Sequence, residues 1–414
     1  MSWLAPASAL TPAQLRVLDQ DLTRHLVVEG PAGSGKTALL LHRAAALRDC
    51  RKIDPEGLRI FTYTNVLKGY LGSSLDLLGL PQSILTTFDA WCLDLHRRLI
   101  SPHLPRDCGR TDFQRLRDCV ERHLAGAGTA RALLDAALVD EGQDLPPQAF
   151  RILARAAKHV LVNLDPTQRI FPGGSTPAQV RAALGLQPAD PELRVGPGHR
   201  CGREVATFAA GFLDDPGERS RFLAQAREAR LAGQHPLVCF GAGQDDVDAR
   251  MLELVRQRLS LGERIGLLLS RTHQVRQFAE RLRQAGIPME LALPRLDPGE
   301  AEADFGNNLP KLCTFHSAKG VSFDSVFLPM LDNESFPRDA GPARRRLLFV
   351  GITRAAKWVF LGRAMDRVFD EDPWLEEGGS VGTLILQRDP NPAVSSKATA
   401  PDAGSFMGGQ PSFF

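Results

Sequence analysis

The chain has 414 residues, a formal net charge of +2, 43% hydrophobic and 24% charged residues. Those values exclude a globally disordered chain, and at roughly 150 residues per domain they leave room for two or three domains. A near-neutral balance also excludes attraction of nucleic acid by a whole-molecule field, so any such binding needs a local basic or aromatic groove.

The seven cysteines, Cys50, Cys92, Cys108, Cys119, Cys201, Cys239 and Cys313, are scattered without a Cys-x-x-Cys pair. This reads as reduced thiols in a cytoplasmic protein. His103, Cys108, Cys119 and His123 lie close in sequence but match no standard zinc spacing. Met1 to Leu10 lacks the basic and apolar regions of a signal peptide. No apolar run approaches the ~20 residues that span a membrane.

In chain order, His25–Glu29, Leu58–Thr64, Ser83–Phe88, Ala136–Asp140 and His159–Asp165 read as buried strands. Leu237–Gly241, Ile265–Ser270, Leu312–His316, Ser325–Leu331 and Lys357–Leu361 form a second set. Near-continuous apolar strands alternating with helical periodicity predict α/β domains, each a parallel sheet covered on both faces. The expected domains are 1–190, with a small helical insertion near 94–131, and 191–388. Pro188 and Pro191 mark the boundary. Leu293–Ala303, rich in Pro and acidic residues, reads as a surface connection. Residues 389–414, rich in Pro, Ala, Ser and Gly, read as a disordered tail ending in Phe413 and Phe414.

Gly30-Pro-Ala-Gly-Ser-Gly-Lys36-Thr37 follows a predicted strand and opens a helical pattern. In that context it is a phosphate-binding loop. Gly30, Ala32, Gly33, Ser34 and Gly35 would turn main-chain N–H groups toward the phosphates of ATP, at a helix N-terminus that favours anions. Lys36 would reach the β- and γ-phosphates, and the Thr37 hydroxyl would bind Mg²⁺. Val139-Asp140-Glu141 ends a second apolar strand. Carboxylates there lie at the sheet edge beside the loop. Asp140 would hold Mg²⁺ through water, and Glu141 would act as general base on the attacking water.

At Ala137-Leu-Val-Asp-Glu-Gly-Gln143-Asp144 the sequence resembles the UvrD/Rep-type superfamily 1 helicases, and further motifs follow in order. Leu10-Thr-Pro-Ala-Gln14 resembles the Q motif, Phe61-Thr-Tyr63-Thr64-Asn65 motif Ia and Thr86-Thr87-Phe88-Asp89-Ala90-Trp91 motif Ib. Leu164-Asp165-Pro-Thr-Gln168-Arg-Ile-Phe171 resembles motif III, and His199-Arg200-Cys201 motif IV. Thr314-Phe-His316-Ser-Ala-Lys319-Gly320 resembles motif V, and Arg346-Leu-Leu-Phe-Val-Gly-Ile-Thr353-Arg354-Ala355 motif VI.

The resemblance implies two RecA-like domains with ATP in the cleft between them. Gln14 would read the adenine, and Gln168 would sense the γ-phosphate and link hydrolysis to the nucleic-acid groove. Arg200 and Arg354 would act as arginine fingers, a device worth on the order of 10³–10⁵ in rate. Tyr63 would stack on a base, and Thr64, Asn65, Thr87, Thr314 and His316 would contact phosphates without reading sequence. The implied activity is ATP-driven movement on single-stranded DNA, 3′ to 5′. RNA differs at such contacts only through its 2′-hydroxyl. A nucleotide-dependent switch within a repair or defence complex is the second reading.

Three substitutions depart from the family pattern. Phe171-Pro-Gly-Gly-Ser replaces an aromatic-rich segment, Ser322 replaces a glutamate expected near the ribose, and Asp89 stands where histidine is common. The gaps Asp94 to Arg131 and Gly286 to Lys311 are also too short for the family's accessory insertions. A reduced motor that unwinds poorly alone is therefore expected, with a protein partner such as a nuclease or repair factor and no membrane.

Overall fold

Residues 4–31, 33–126, 132–168, 173–196, 201–227, 233–297, 300–336, 341–380 and 385–388 are described by a computed structural model. Ala32 and Arg200 of the expected site, and the tail 389–414, lie outside the described residues.

The apolar runs become strands buried on both faces. In chain order the first strands are β1 (Leu26–Glu29), β2 (Leu58–Thr62), β3 (Leu85–Thr87), the short polar β4 (Arg106–Asp107) and β5 (Arg110–Thr111), β6 (Leu134–Val139), β7 (Ala157–Leu164) and the peripheral, partly exposed β8 (Leu193–Arg194). Apart from the β4–β5 hairpin they form one six-stranded parallel sheet in the order β3-β2-β6-β7-β1-β8. The second set is β9 (Leu237–Gly241), β10 (Ile265–Leu269), β11 (Glu290–Ala292), β12 (Lys311–Thr314), β13 (Phe323–Leu328), β14 (Ala355–Ala364) and β15 (Ile385–Arg388). These form a seven-stranded parallel sheet in the order β11-β12-β10-β13-β14-β9-β15.

Two parallel-sheet α/β domains of RecA-like type are therefore present. Each of the ten expected strands overlaps an observed one. The first sheet continues past the expected boundary at residue 190, because Leu193–Arg194 pairs with Val28–Glu29. The insertion near 94–131 contains the hairpin and the helix Phe113–Gly126, which buries Leu116 and Val120. Among the described residues, Leu293–Ala303 contains no helix or strand, in keeping with its proline and acid content. It is more than a surface connection, since Ala303 and neighbouring Phe305 pack against the buried core.

A Cβ would have no room at Gly266, where Phe323 of the neighbouring strand presses on the backbone, so the second sheet closes tightly at its centre. In the first domain, the buried Arg43 of the helix Lys36–Asp49 donates to the carbonyls of Leu18, Gln20 and Asp21. That clamp fixes the segment after the helix Pro12–Leu18 and holds Gln14 against the phosphate loop.

Two buried polar residues interrupt the apolar run of β7. Asn163 serves the site described below. His159 is fully buried, and its Nδ1–H donates to the Arg24 carbonyl at 2.8 Å. Burial pushes its pKa down to about 4, with Arg43 adding to the effect. An unfolded imidazole titrates near 6.5, so the unfolded chain takes up the proton first as pH falls. The stability this ring contributes is complete above pH 6.5 and is lost toward pH 4. We predict a loss of about 2 kcal/mol between pH 7 and pH 5 from this site. Urea unfolding of wild type and His159→Leu at both pH values checks it, and an unchanged pH dependence in the variant would refute it.

Candidate functional site: a phosphate loop and an interdomain clasp

The phosphate loop runs from β1 into the helix Lys36–Asp49. Its path depends on glycine: Gly33 and Gly35 both have φ of 77°, the left-handed region that L side chains rarely adopt. At Gly30 a Cβ would lie 2.5 Å from Val195 Cγ2 and 2.6 Å from Ser34 Oγ. The Ser34 hydroxyl is buried with no hydrogen-bond partner among the described residues. An unsatisfied buried hydroxyl costs free energy, and phosphate oxygens beside it would satisfy it. The loop therefore fits a nucleotide's phosphates. Lys36 Nζ donates to the carbonyls of Gly30 and Pro31 at 2.7 and 2.8 Å and lies 3.9 Å from Asp165.

Behind the loop, Gln14 closes a capping box with Thr11, and its Nε2 donates to the Ser34 carbonyl at 2.9 Å. Its Oε1 accepts from Thr11 N at 2.7 Å, so both ends of the amide are engaged. Gln14 braces the loop; reading an adenine would require one of these bonds to open.

Thr37 Oγ1 donates to Asp140 Oδ2 at 2.9 Å, joining the loop to the end of β6. Asn163 Nδ2 donates to the Lys36 carbonyl at 2.8 Å and approaches Asp140 Oδ1 at 3.4 Å. Burial, with Glu141 alongside, pushes the Asp140 carboxyl up to about 6. A cation there would favour its ionised form. One hydroxyl and one carboxylate suit Mg²⁺, which keeps water and phosphate oxygens as its remaining ligands. No cluster of three or more His, Cys, Asp or Glu able to hold a metal occurs among the described residues.

Glu141 adopts φ 52° and ψ 43°, a strained conformation for a non-glycine residue. Gly142 allows it, since a Cβ there would run into Val162 and Leu164. Gln143 then spans two motifs. Its Nε2 donates to Glu141 Oε2, while its Oε1 accepts from Asp165 N at 3.0 Å. The general-base candidate is thus oriented by the strand end that leads to Gln168.

Gln168 is the junction between the domains. Its Nε2 donates to Asp165 Oδ2 at 2.6 Å, and its Oε1 accepts from Arg354 Nη2 at 2.6 Å. Arg354, fully buried, is further oriented by Nε donating to the Val350 carbonyl at 2.9 Å. Lys319 of the second domain donates to the main-chain carbonyl of Gln168 and to Asp144 Oδ1, the latter at 2.5 Å. Burial raises the Asp144 carboxyl, and Lys319 opposes that shift. Cys201 Sγ donates to the Thr353 carbonyl at 3.3 Å, and Gly202 N donates to the Ala356 carbonyl at 2.7 Å. These bonds fix the residues following position 200 to the turn that carries Arg354.

The expected strand-contacting residues divide. Tyr63 is half-buried and packs against the first-domain core. Thr64 and Thr87 each cap a helix, accepting from Leu67 N at 3.1 Å and Ala90 N at 3.3 Å. Exposed Asn65 donates to the Pro294 carbonyl at 3.3 Å, on a cavity of about 240 Å³ also lined by Phe305. Thr314 is buried, and its hydroxyl shares a hydrogen bond of 2.8 Å with Ser317 Oγ. His316 is partly exposed, and burial with Lys319 nearby lowers its pKa. Asp89 pairs with Arg117 of the insertion helix at 2.8 Å, which offsets the unusual charge in motif Ib. Asn163, Gln143, Asp144 and Lys319 were not assigned roles from sequence, although the last three lie inside quoted motifs.

Residues 10–100 match the family model of the UvrD/REP helicase N-terminal domain. Residues 312–361 match that of the UvrD-like helicase C-terminal domain. These two segments are similar to the corresponding parts of the UvrD/Rep-type helicases. The chain is 38% identical to DNA helicase II of Escherichia coli (strain K12) over 79 residues, which are 17% of this chain and 11% of that protein. It is 34% identical to the ATP-dependent DNA helicase PcrA of Bacillus subtilis (strain 168) over 116 residues, 25% of this chain and 16% of that protein. The chain thus matches well under a fifth of the length of these relatives. A solved C-terminal domain of a possible DNA helicase from Lactobacillus plantarum aligns with TM-score 0.33 and 15% identity, covering 45% of this chain and 98% of that one.

Gly35 supplies a direct test of the loop geometry. Alanine there must take the left-handed conformation, with its Cβ driven into the Gln14 amide. Gly35→Ala is expected to lower first-domain stability by about 1–3 kcal/mol. Urea unfolding measures it, and an unshifted midpoint would contradict the close approach.

Proposed function

We propose that this chain is an ATP-driven motor on single-stranded DNA, moving 3′ to 5′ and hydrolysing ATP with Mg²⁺. The observation that carries the reading is the buried chain Lys36, Asp165, Gln168, Arg354, which joins the phosphate loop of one domain to the second domain. A phosphate-sensing amide held by an arginine from the opposite domain makes cleft closure and hydrolysis interdependent, the condition for a motor.

In this reading Lys36 and the loop amides would bind the phosphates, and Thr37 and Asp140 would hold Mg²⁺, which would neutralise charge on the phosphates. Glu141 takes a proton from the attacking water. Gln168 reports the γ-phosphate, and Arg354, with Arg200, stabilises the charge that develops on the transferred group. Tyr63, Thr64, Asn65, Thr87, Thr314 and His316 border the strand, which is held mainly through its backbone and hence without sequence preference. The short segments replacing the family's accessory insertions support a motor that unwinds duplex weakly alone and works with a nuclease or repair factor. Those same short segments favour the second reading, a nucleotide-dependent switch.

ATP turnover by wild type and Lys36→Ala, with and without oligo-dT across a salt series, tests the proposal. We expect many-fold stimulation by the strand, weakening as salt rises and absent in the variant. Turnover that depends on Lys36 but ignores the strand would replace the motor with the switch.

A further inference from the structure

The ion pair between Lys319 and Asp144 lies across the domain boundary with both side chains almost wholly buried, at 2% and 1% exposure. A buried ion pair contributes little net stability compared with well-packed apolar residues of the same volume. Stability alone is therefore a poor account of it. Its connections indicate another role. Lys319 closes the 314–320 segment, which carries His316, and neighbouring Gly320, with φ of 83°, is pressed against Leu67 of the helix beginning at Asn65. Its ammonium donates both to Asp144 and to the main-chain carbonyl of Gln168. Asp144 in turn ends the short turn Gly142–Asp144, and its N–H donates to the Glu141 carbonyl at 3.0 Å.

We propose that Lys319 and Asp144 are positioning residues that relay strand binding to the nucleotide site. One ammonium grips the main chain of the phosphate sensor and the turn bearing the general base. A shift of the 314–320 segment, which carries the expected strand contacts Thr314 and His316, therefore moves Gln168 and Glu141 together. Without the strand, the relay holds both turns in the arrangement seen here. With the strand bound, the segment is drawn toward it, and Gln168 and Glu141 reach their working positions. This rests on the motor reading and names the device by which the strand stimulates turnover.

The test uses the full chain with Lys319→Met combined with Asp144→Leu, which replaces the pair by apolar groups and leaves no buried charge unpartnered. Thermal midpoint, oligo-dT affinity, and kcat and KM for ATP with and without oligo-dT are measured. Couplings between sites are typically about 5- to 150-fold. We expect the ratio of stimulated to basal kcat to fall about tenfold or more, while oligo-dT affinity, KM and the thermal midpoint stay near wild type. Retained stimulation in the variant would overturn the relay and leave the motor intact. Loss of stimulation together with strand affinity and thermal midpoint would also overturn it, making the pair a structural clamp. A wild type that the strand does not stimulate would overturn both the motor and its relay.

Discussion

The structure turns on one buried amide. Gln168 donates to Asp165 within its own domain and accepts from Arg354 of the other. A neutral amide suits this place because it is donor and acceptor at once, whereas a carboxylate there would face Asp165 and a cationic side chain would face Arg354. Breaking either bond leaves a buried polar group unsatisfied, which costs about 1–3 kcal/mol. The two domains are therefore joined by hydrogen bonds between buried side chains, and Asp165 brings that junction to 3.9 Å from Lys36 of the phosphate loop.

Around that amide the local strain acquires a purpose. Glu141 is held in a left-handed conformation, and its neighbour Gln143 ties it to the residue that partners Gln168. Lys36, the cation expected to meet the phosphates, rests on carbonyls of its own loop. On the far side, the 293–310 segment crosses onto the first domain. Phe305 meets the Tyr70 ring edge-on at 5.5 Å, and Asn65 donates to Pro294. Arg276 holds the acidic part of that segment through Asp297 and Glu300. A stretch too short to form an accessory domain thus still bridges the cleft.

Much of this was legible in the sequence, for reasons that can be named. Strands such as Leu134–Val139 and Ala157–Leu164 are buried on both faces, so their composition alone marks them. Strands β8 and β11 have two and three residues, and no periodicity can develop over such lengths. The phosphate loop was legible because its glycines are demanded by backbone geometry at fixed spacing. Side-chain pairings were not. Lys319 and Asp144 are 175 positions apart and meet only after both sheets have formed. The local partner of Thr314 was not legible either: the bond between its hydroxyl and Ser317 depends on how the chain turns at the end of β12.

The central claim is that Gln168 and Arg354 act as one unit across the cleft. A double-mutant cycle on kcat for ATP, with Gln168→Ala, Arg354→Ala and both together, tests it most directly. Groups that act as a unit are grossly non-additive, so the account predicts a double variant about as slow as the slower single one. Losses that multiply would contradict it, making the two side chains independent contributors that happen to touch.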